Sequence, residues 1–299
     1  MSRREQRLAG AGTERMARTS PTMGLTGGLM SIVLAACATL PGQDGARPAA
    51  TAERELIDVK ARIMSADFRA DLVELGELRD LSVAFAGDAK LGHLANYWAG
   101  FASWRLAMNG YNRQLDAADL RGHLERAAAA LEAAMRERGD FADAYAAAAS
   151  VNGWLASYRR DDPEALRDLV ARSRQQLARA KELAPTNPRV LWVESLSLSA
   201  SSAAKPENGE RAMQVLQNAL EVSDFRARPD SPLPDWGRAE ILMALAWGHL
   251  HSAQPDLTAA EEQARAALKL HPEWFYVREL LVPQIRYAAH KASGVVHDR

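Results

Sequence analysis

Apolar and small residues recur at three- and four-residue spacing along most of the chain beyond residue 51. The clearest run places seven of them on one side of a helix: Leu166, Leu169, Val170, Ser173, Leu177, Ala180 and Ala184. Asp162 and Pro163 precede this run, where a capping side chain and a proline in the first turn favour the start of a helix. The alternation that is typical of strands is not sustained, and alanine is abundant. The pattern therefore predicts an all-α fold.

Three segments share a motif of four residues at fixed spacing. A small residue is followed by an apolar or small residue four positions on, by alanine three further on, and by a helix breaker five after that. The three copies are Ala127/Leu131/Ala134/Gly139, Ser173/Leu177/Ala180/Pro185 and Ala260/Ala264/Ala267/Pro272, and a weaker copy without the breaker is Ala212/Leu216/Ala219. The motif resembles the second helix of the tetratricopeptide repeat. The resemblance covers roughly residues 90–290 and implies an α-solenoid of about four helix pairs.

The copies are further apart than repeats of that family. The key alanines at positions 134, 180, 219 and 267 are 46, 39 and 48 residues apart, whereas the family repeat has about 34 residues. Insertions are therefore expected in three segments: Asn109–Ala118, Arg159–Asp162 and Phe225–Pro234. Armadillo-like and irregular α-solenoids are the alternatives.

Both ends of a helical array need capping helices, because an end repeat lacks one neighbour. We expect such helices near Ala52–Met64 and Phe68–Phe85 at one end and near Trp274–His290 at the other. Residues 52–88 would then be the N-terminal helices, and residues 89–299 the repeats and the C-terminal cap. Asn187 with Pro188, and the capping box Thr258–Glu261, are expected to start two of the helices.

The N-terminal region has the order of charged and apolar residues that is typical of a secretory signal. Residues 1–36 contain five arginines, and an apolar run of 14 residues extends from Met23 to Ala36. The run is shorter than the roughly 20 apolar residues of a membrane-spanning helix. We therefore expect residues 1–36 to be a cleaved signal, with Met16 as an alternative start. A twin-arginine signal at Arg3 and Arg4 is a further alternative.

The apolar run ends in four residues that resemble the lipobox of bacterial lipoproteins: Leu34, Ala35, Ala36 and Cys37. The resemblance implies that the Cys37 thiol is acylated and that the signal is cut just before it. Cys37 is the only cysteine of the chain, so an intrachain disulfide is excluded. An ordinary signal peptide with a chance cysteine and a buried thiol in a cytosolic protein are the alternatives.

The lipidated cysteine would be followed by a tether. Residues 37–51 contain two prolines and two glycines, a composition that predicts a flexible linker. Ala38, and not Asp, follows Cys37, which by resemblance to known lipoproteins favours the outer membrane. We therefore expect a cell-envelope protein that is held by its lipid at the outer membrane and faces the periplasm.

The charge balance argues against nucleic acid as a partner. The whole chain has a formal net charge of −1, and the part after residue 36 has 32 basic and 36 acidic residues, a net charge of −4. It has no basic stripe of the kind that binds a phosphate backbone. Hydrophobic residues at 47% and charged residues at 25% are ordinary for a folded domain. We expect no nucleic-acid binding.

Motifs that carry catalytic chemistry are missing from the sequence. It contains no glycine-rich phosphate loop, nucleophile elbow or His-Glu-x-x-His helix. His249 and His251 are two positions apart on a predicted helix, roughly 200° around its axis, so they are not expected to share a metal ion. Carboxylate pairs such as Asp161 and Asp162 stand at expected helix starts. We expect no enzymatic activity, metal or cofactor, with an active site built from distant residues as the alternative.

The first helix of each pair should line the concave surface of a helical array. The family pattern places three residues of one pair beside three of the next, with two more from the last pair: Asp143, Ala146, Ser150; Arg189, Trp192, Leu196; Leu245, His249. Trp192 is either the aromatic anchor of a peptide groove or a core residue. The expected function is an envelope scaffold or adaptor whose groove binds a protein or peptide.

A second hypothesis is the capture of a small molecule. The chain would then be a lipoprotein resembling the helical-repeat accessory component of tripartite substrate-binding transporters. An enclosed apolar pocket would favour this hypothesis, and an open polar groove would favour the adaptor.

Replacing the lipidation residue tests the anchor directly. Cys37→Ser is expected to abolish palmitate labelling and membrane association, because each buried methylene of the acyl chains contributes about 0.8 kcal/mol of membrane binding. Metabolic labelling and cell fractionation measure both effects. A serine variant that remains in the detergent-extractable membrane fraction would contradict the lipoprotein assignment.

Overall fold

The computed structural model describes residues 49–293, which belong to one compact unit, Ala46–Arg299. The described residues form helices and no strands, so the predicted all-α class is confirmed for them. The signal, the lipobox residues Leu34, Ala35, Ala36 and Cys37, and most of the expected tether lie outside the described residues.

Eleven α-helices follow one another along the described range. They are α1 (Ala49–Arg69), α2 (Leu72–Val83), α3 (Gly92–Asn112), α4 (Ala117–Glu137), α5 (Ala142–Ser157), α6 (Pro163–Leu183), α7 (Pro188–Ser201), α8 (Glu207–Val222), α9 (Arg238–His251), α10 (Leu257–Leu270) and α11 (Val282–Ala292). A π-helical segment, Tyr276–Leu281, leads directly into α11. From α3 to α10, each odd-numbered helix packs on the even-numbered helix that follows it.

Polar side chains start several of these helices, largely where the sequence predicts. The Asp162 carboxylate accepts a hydrogen bond from the Ala165 amide at 3.1 Å at the start of α6. Asn187 accepts from the Arg189 amide at 3.0 Å at the start of α7. The expectation for α10 is wrong by two positions at the helix start: Asp256 caps it and Thr258 lies inside, because the Asp256 carboxylate already accepts from the third amide.

The second helices of the pairs bury a single narrow stripe. The buried residues in these stripes include all four copies of the key alanine: Ala134, Ala180, Ala219 and Ala267. In α6, Ala180 is the one residue that is fully buried. Small side chains in the stripe let the partner helix approach closely. Glycine in the partner helix has the same effect, since a Cβ atom added to Gly100 of α3 would lie 2.7 Å from the Leu131 Cγ of α4.

The first helices have a different burial pattern. In α3 and α5 most side chains are buried around the whole circumference, including the aromatic residues Tyr97, Trp98 and Trp104. A helix that is buried on every side lies between two layers of protein. The second helices form one of these layers, and the other layer must come from elsewhere in the chain.

Long helices and one long connection accompany the wide spacing of the key alanines. α3, α4 and α6 have 21 residues each, and residues 109–112 of the first expected insertion belong to α3. The third expected insertion is different, because Phe225–Pro234 lies in a long non-helical connection between α8 and α9. We call residues 223–237 the 223–237 connection.

The helices expected at opposite ends of the array are in contact with each other. α1 extends through Phe68 to Arg69, so the expected break after Met64 is wrong. The Phe68 ring stacks on His271, with centroids 3.7 Å apart, and meets the edge of Trp274 at 5.0 Å. Arg113 lies over the Phe275 ring at 4.1 Å. The N-terminal helix therefore closes against the C-terminal part of the described chain.

Enlarging the buried alanine of α6 tests this packing. Ala180→Leu is expected to lower the free energy of unfolding by about 1–3 kcal/mol, because extra carbons enter a close-packed contact. Ala178→Leu, on the exposed side of the same helix, is the matched control, since leucine and alanine have similar helix propensities. Thermal melts of Ala46–Arg299 measure both. Equal melting temperatures for the two variants would show that the stripe is misplaced.

Candidate functional site

Two of the expected groove residues do meet across neighbouring pairs. Arg189 at the start of α7 forms an ion pair with Asp143 of α5, through its Nε atom. Asn187 also donates to the Asp143 carboxylate at 3.0 Å, and the Arg189 Nη1 atom donates to the Trp236 carbonyl at 2.8 Å. The predicted neighbourhood of Asp143 and Arg189 is therefore confirmed. Both side chains are largely buried, so the pair stabilises the fold and is not an open binding surface.

The other expected groove residues do not form a surface with that pair. Trp192 is fully buried and Ser150 is buried, whereas His249 is half-buried in the last turn of α9. The Trp192 ring lies 5.8 Å from Trp104 and 5.7 Å from Trp236. Of the two interpretations of Trp192, the structure supports the core residue. The reason is that the 223–237 connection lays Trp236 against it.

The inner side of the first helices is covered by the chain itself. The 223–237 connection contributes Trp236, whose indole donates to the Tyr97 hydroxyl at 2.9 Å, and Pro232, whose carbonyl accepts from the Trp98 indole at 2.7 Å. Helix α1 packs on α2 and α3. Together these two segments supply the second layer that the burial of α3 requires.

A buried lysine joins the two covering segments. The Lys60 ammonium of α1 donates to the carbonyls of Arg228 and Ser231, both at 3.0 Å, and lies 2.9 Å from the Asp235 carboxylate. Burial lowers the pKa of Lys60, and the hydrogen bond to Asp235 opposes that effect. With three acceptors around it, Lys60 holds α1 and the 223–237 connection together.

The most deeply buried charges lie where α1, α3 and α9 meet. The Arg105 guanidinium of α3 is 2.6 Å from the Asp67 carboxylate of α1 and 3.9 Å from the Glu240 carboxylate of α9. Asn109 donates to Asp67 at 2.7 Å, and the Gly237 amide donates to Glu240 at 3.0 Å. We call Asp67, Arg105 and Glu240 the buried triad.

The buried triad has one carboxylate more than its single guanidinium balances. Burial raises the pKa of Glu240, and the positive charge of Arg105 only partly offsets this effect. The Glu240 Oε1 atom is also one of three buried side-chain polar atoms without a hydrogen-bond partner among the described residues, together with the indole nitrogens of Trp104 and Trp192. Such atoms are places where ordered water is usually found in proteins. The triad is thus a structural site in which one guanidinium faces two buried carboxyl groups.

Sequence reasoning missed the buried triad, although a signal was present. Arg105 stands between Trp104 and Leu106 in a helix of mainly apolar and small residues. A charged side chain at that position is expected to be buried only if it has a partner that compensates its charge. The sequence does not show which residues pair with Arg105, because Asp67 and Glu240 are 38 and 135 positions away from it.

An exposed aromatic ring contacts a half-buried one at the C-terminal ends of α3 and α5. Tyr111 is 59% exposed, and its ring meets the edge of Trp154 at 5.9 Å. Tyr158 follows at the end of α5 and is half-buried. We call Tyr111, Trp154 and Tyr158 the aromatic surface. These residues lie close together because α3 and α5 are in contact with each other.

The described residues offer little for metal chemistry or membrane insertion. They contain no group of three or more His, Cys, Asp or Glu side chains that could hold a metal ion. None of the helices in residues 49–293 combines the length and the hydropathy needed to span a bilayer. Two clefts on the described surface are shallow and open, one lined by Arg69 and Arg113 and the other by residues of α6.

Comparison with known proteins does not assign the chain to a family. No protein-family model matches the sequence, and no curated protein matches it significantly.

Removing the central charge of the buried triad tests its structural role. Arg105→Met is expected to lower the free energy of unfolding by about 3–5 kcal/mol, because two buried carboxylates lose their counter-charge. Arg62→Met is the matched control, since Arg62 pairs with Glu74 at the surface, where an ion pair contributes about 1 kcal/mol or less. Denaturant titrations measure both. Equal effects of the two substitutions would contradict the assignment.

The substitution Glu240→Gln tests the buried triad through the pH dependence of stability. Because burial raises the pKa of Glu240 in the folded protein, the wild type loses stability as the pH rises through that pKa. Glutamine has no such ionisation and still accepts from the Gly237 amide. The free energy of unfolding of Glu240→Gln minus that of the wild type should therefore be largest at neutral pH. As the pH falls below the ordinary pKa of glutamate, this difference should decrease to a constant value.

Proposed function

We propose that the protein is a lipid-anchored adaptor of the bacterial cell envelope that binds a protein partner through the aromatic surface. The observation that carries the proposal is the edge contact of the exposed Tyr111 ring with the half-buried Trp154 ring. In this proposal the helix pairs α3–α10 are tetratricopeptide-like repeats, and Cys37 carries the lipid that holds them at the outer membrane, facing the periplasm. No catalytic step is assigned to the protein.

The repeat assignment is supported by the positions of the shared motif. All four key alanines lie in the buried stripes of second helices, at α4, α6, α8 and α10. Each of these helices packs on the helix before it. The lipid anchor is supported by Leu34–Cys37 and the apolar run before them.

The binding surface in this proposal differs from the groove expected for such repeats. The groove side of the first helices is covered by α1 and the 223–237 connection, and its residues Trp192 and Ser150 are buried. A partner must therefore contact another part of the surface. The shallow, open clefts also favour a protein partner over an enclosed small molecule.

The aromatic surface has the chemistry of a protein interface. Tyrosine and tryptophan give a large contact area at a small loss of side-chain entropy, and they are enriched with arginine where partners bind most strongly. Arg113 follows Tyr111 closely, and Arg159 and Arg160 follow Tyr158 directly. The nearest salt-bridge contact of Arg159, to Glu125, is long at 3.5 Å. We therefore infer a partner that presents apolar and acidic side chains.

Site-specific crosslinking in intact envelopes tests the proposal. A photo-crosslinking amino acid is placed at Tyr111 or Trp154, and at Val222 as a control, because Val222 is exposed on α8. Adducts with the same partner are expected from the first two positions and not from the third. Tyr111→Ala should then weaken binding of that partner by about 10-fold or more, whereas Val222→Ala should not change it. Identical adducts from Val222, or none from either aromatic position, would contradict the proposal.

A further inference from the structure

Helix α2 has an apolar side that the described chain leaves uncovered. Its inner side buries Leu75, Leu78 and Ser82 against α1 and α3. On the outer side Val73 is 74% exposed, and Leu81 and Val83 are exposed as well. Three of the eight exposed large hydrophobic side chains in the described residues therefore belong to this helix of 12 residues. An exposed apolar cluster of this kind is typical of a protein interface.

Acidic residues accompany this apolar side. Glu77 and Asp80 are four and seven positions after Val73, so they lie on the same face of the helix. Asp80 is paired with its neighbour Arg79 at 2.7 Å, whereas Glu77 forms no ion pair within the described residues. We call Val73, Glu77, Asp80 and Leu81 the α2 face. An occupant of this face must supply apolar contact and positive charge.

The chain itself offers a face of that composition on α11. Tyr287 is 64% exposed there, and Arg286, His290 and Lys291 are exposed around it. Val282 and Ile285 form the buried side of the same helix. Neither Arg286 nor Lys291 takes part in a salt bridge within the described residues. We call Arg286, Tyr287, His290 and Lys291 the α11 face.

Two other occupants of the α2 face fit the charges less well. A second α2 face, packed across a two-fold axis, would bring Glu77 near a second Glu77, and like charges in contact oppose binding. An anionic membrane surface repels Glu77 and Asp80 as well. The α11 face is complementary, because its basic residues meet the acidic ones and Tyr287 meets Val73 and Leu81.

We propose that the α2 face of one copy of the chain binds the α11 face of a second copy. The two copies form a two-fold pair, in which the contact between the α2 face and the α11 face occurs twice. This assembly does not depend on the aromatic surface, because it uses other helices and another partner.

Charge reversal with rescue tests the assembly in the full-length chain, solubilised in a mild detergent. Two differently tagged copies are co-expressed, their co-purification is measured, and light scattering gives the mass of the protein component. Glu77→Lys and Arg286→Glu, each introduced in both copies, are expected to reduce co-purification at least fivefold. One copy with Glu77→Lys and the other with Arg286→Glu should restore it, because every contact again joins opposite charges.

Two exposed positions elsewhere serve as matched controls. Glu221→Lys on α8 and Arg172→Glu on α6 make the same charge changes and are expected to leave co-purification unchanged. A concentration of about 100 µM is far above a dissociation constant in the micromolar range. A wild-type protein that stays monomeric up to that concentration would overturn the proposal. Assembly that is unaffected by both reversals, or a loss that the mixed copies do not restore, would overturn it too.

The other occupants of the α2 face give distinct results. If α2 packs on α2, Glu77→Lys together with unchanged Glu77 in the other copy strengthens assembly, and Arg286→Glu has no effect. If a bilayer covers the face, Cys37→Ser protein still binds vesicles of zwitterionic lipid and Val73→Glu abolishes that binding. Either result overturns the proposal.

Discussion

A single buried guanidinium joins three parts of the chain that are far apart in sequence. Arg105 in α3 contacts Asp67 near the end of α1 and faces Glu240 in the first turn of α9. Breaking a buried ion pair leaves an uncompensated charge in an apolar interior, so α1 and α9 are held in position relative to α3. This constraint brings α1 and α9 to α3. Together with the contacts of Phe68 with His271 and Trp274, it closes the N-terminal helix against the C-terminal part of the described chain.

The contact between the N-terminal helix and the C-terminal part determines which surfaces stay exposed and available for binding. Once α1 and the 223–237 connection cover the inner side, the aromatic residues there form a core of tryptophan rings around Trp192 and Trp236. The exposed apolar residues are then found at helix ends and on the outermost helices, at Tyr111, on α2 and on α11. The adaptor and assembly proposals both use these remaining surfaces.

Local sequence patterns predict the second helices well and the closed core poorly. A stripe such as the one around Ala180 is visible because only one side of α6 is buried, so apolar and polar positions contrast along the helix. The expected contact of Asp143 with Arg189 is also present, since the start of α7 packs beside the start of α5. In α3 that contrast disappears, because nearly every side is buried. The sequence around Trp192 therefore carries no sign that Trp236, 44 positions later, covers it.

Amide hydrogen exchange of the native protein tests the closed arrangement most directly. Amides that open only in global unfolding exchange with the full free energy of unfolding, whereas locally loose segments exchange faster. If α1 is part of the core, the amides of residues 56–67 should be as strongly protected as those in the middle of α3, residues 98–106. Fast exchange of α1 beside a slowly exchanging α3 would contradict the account, because it would show that the inner side is open in solution.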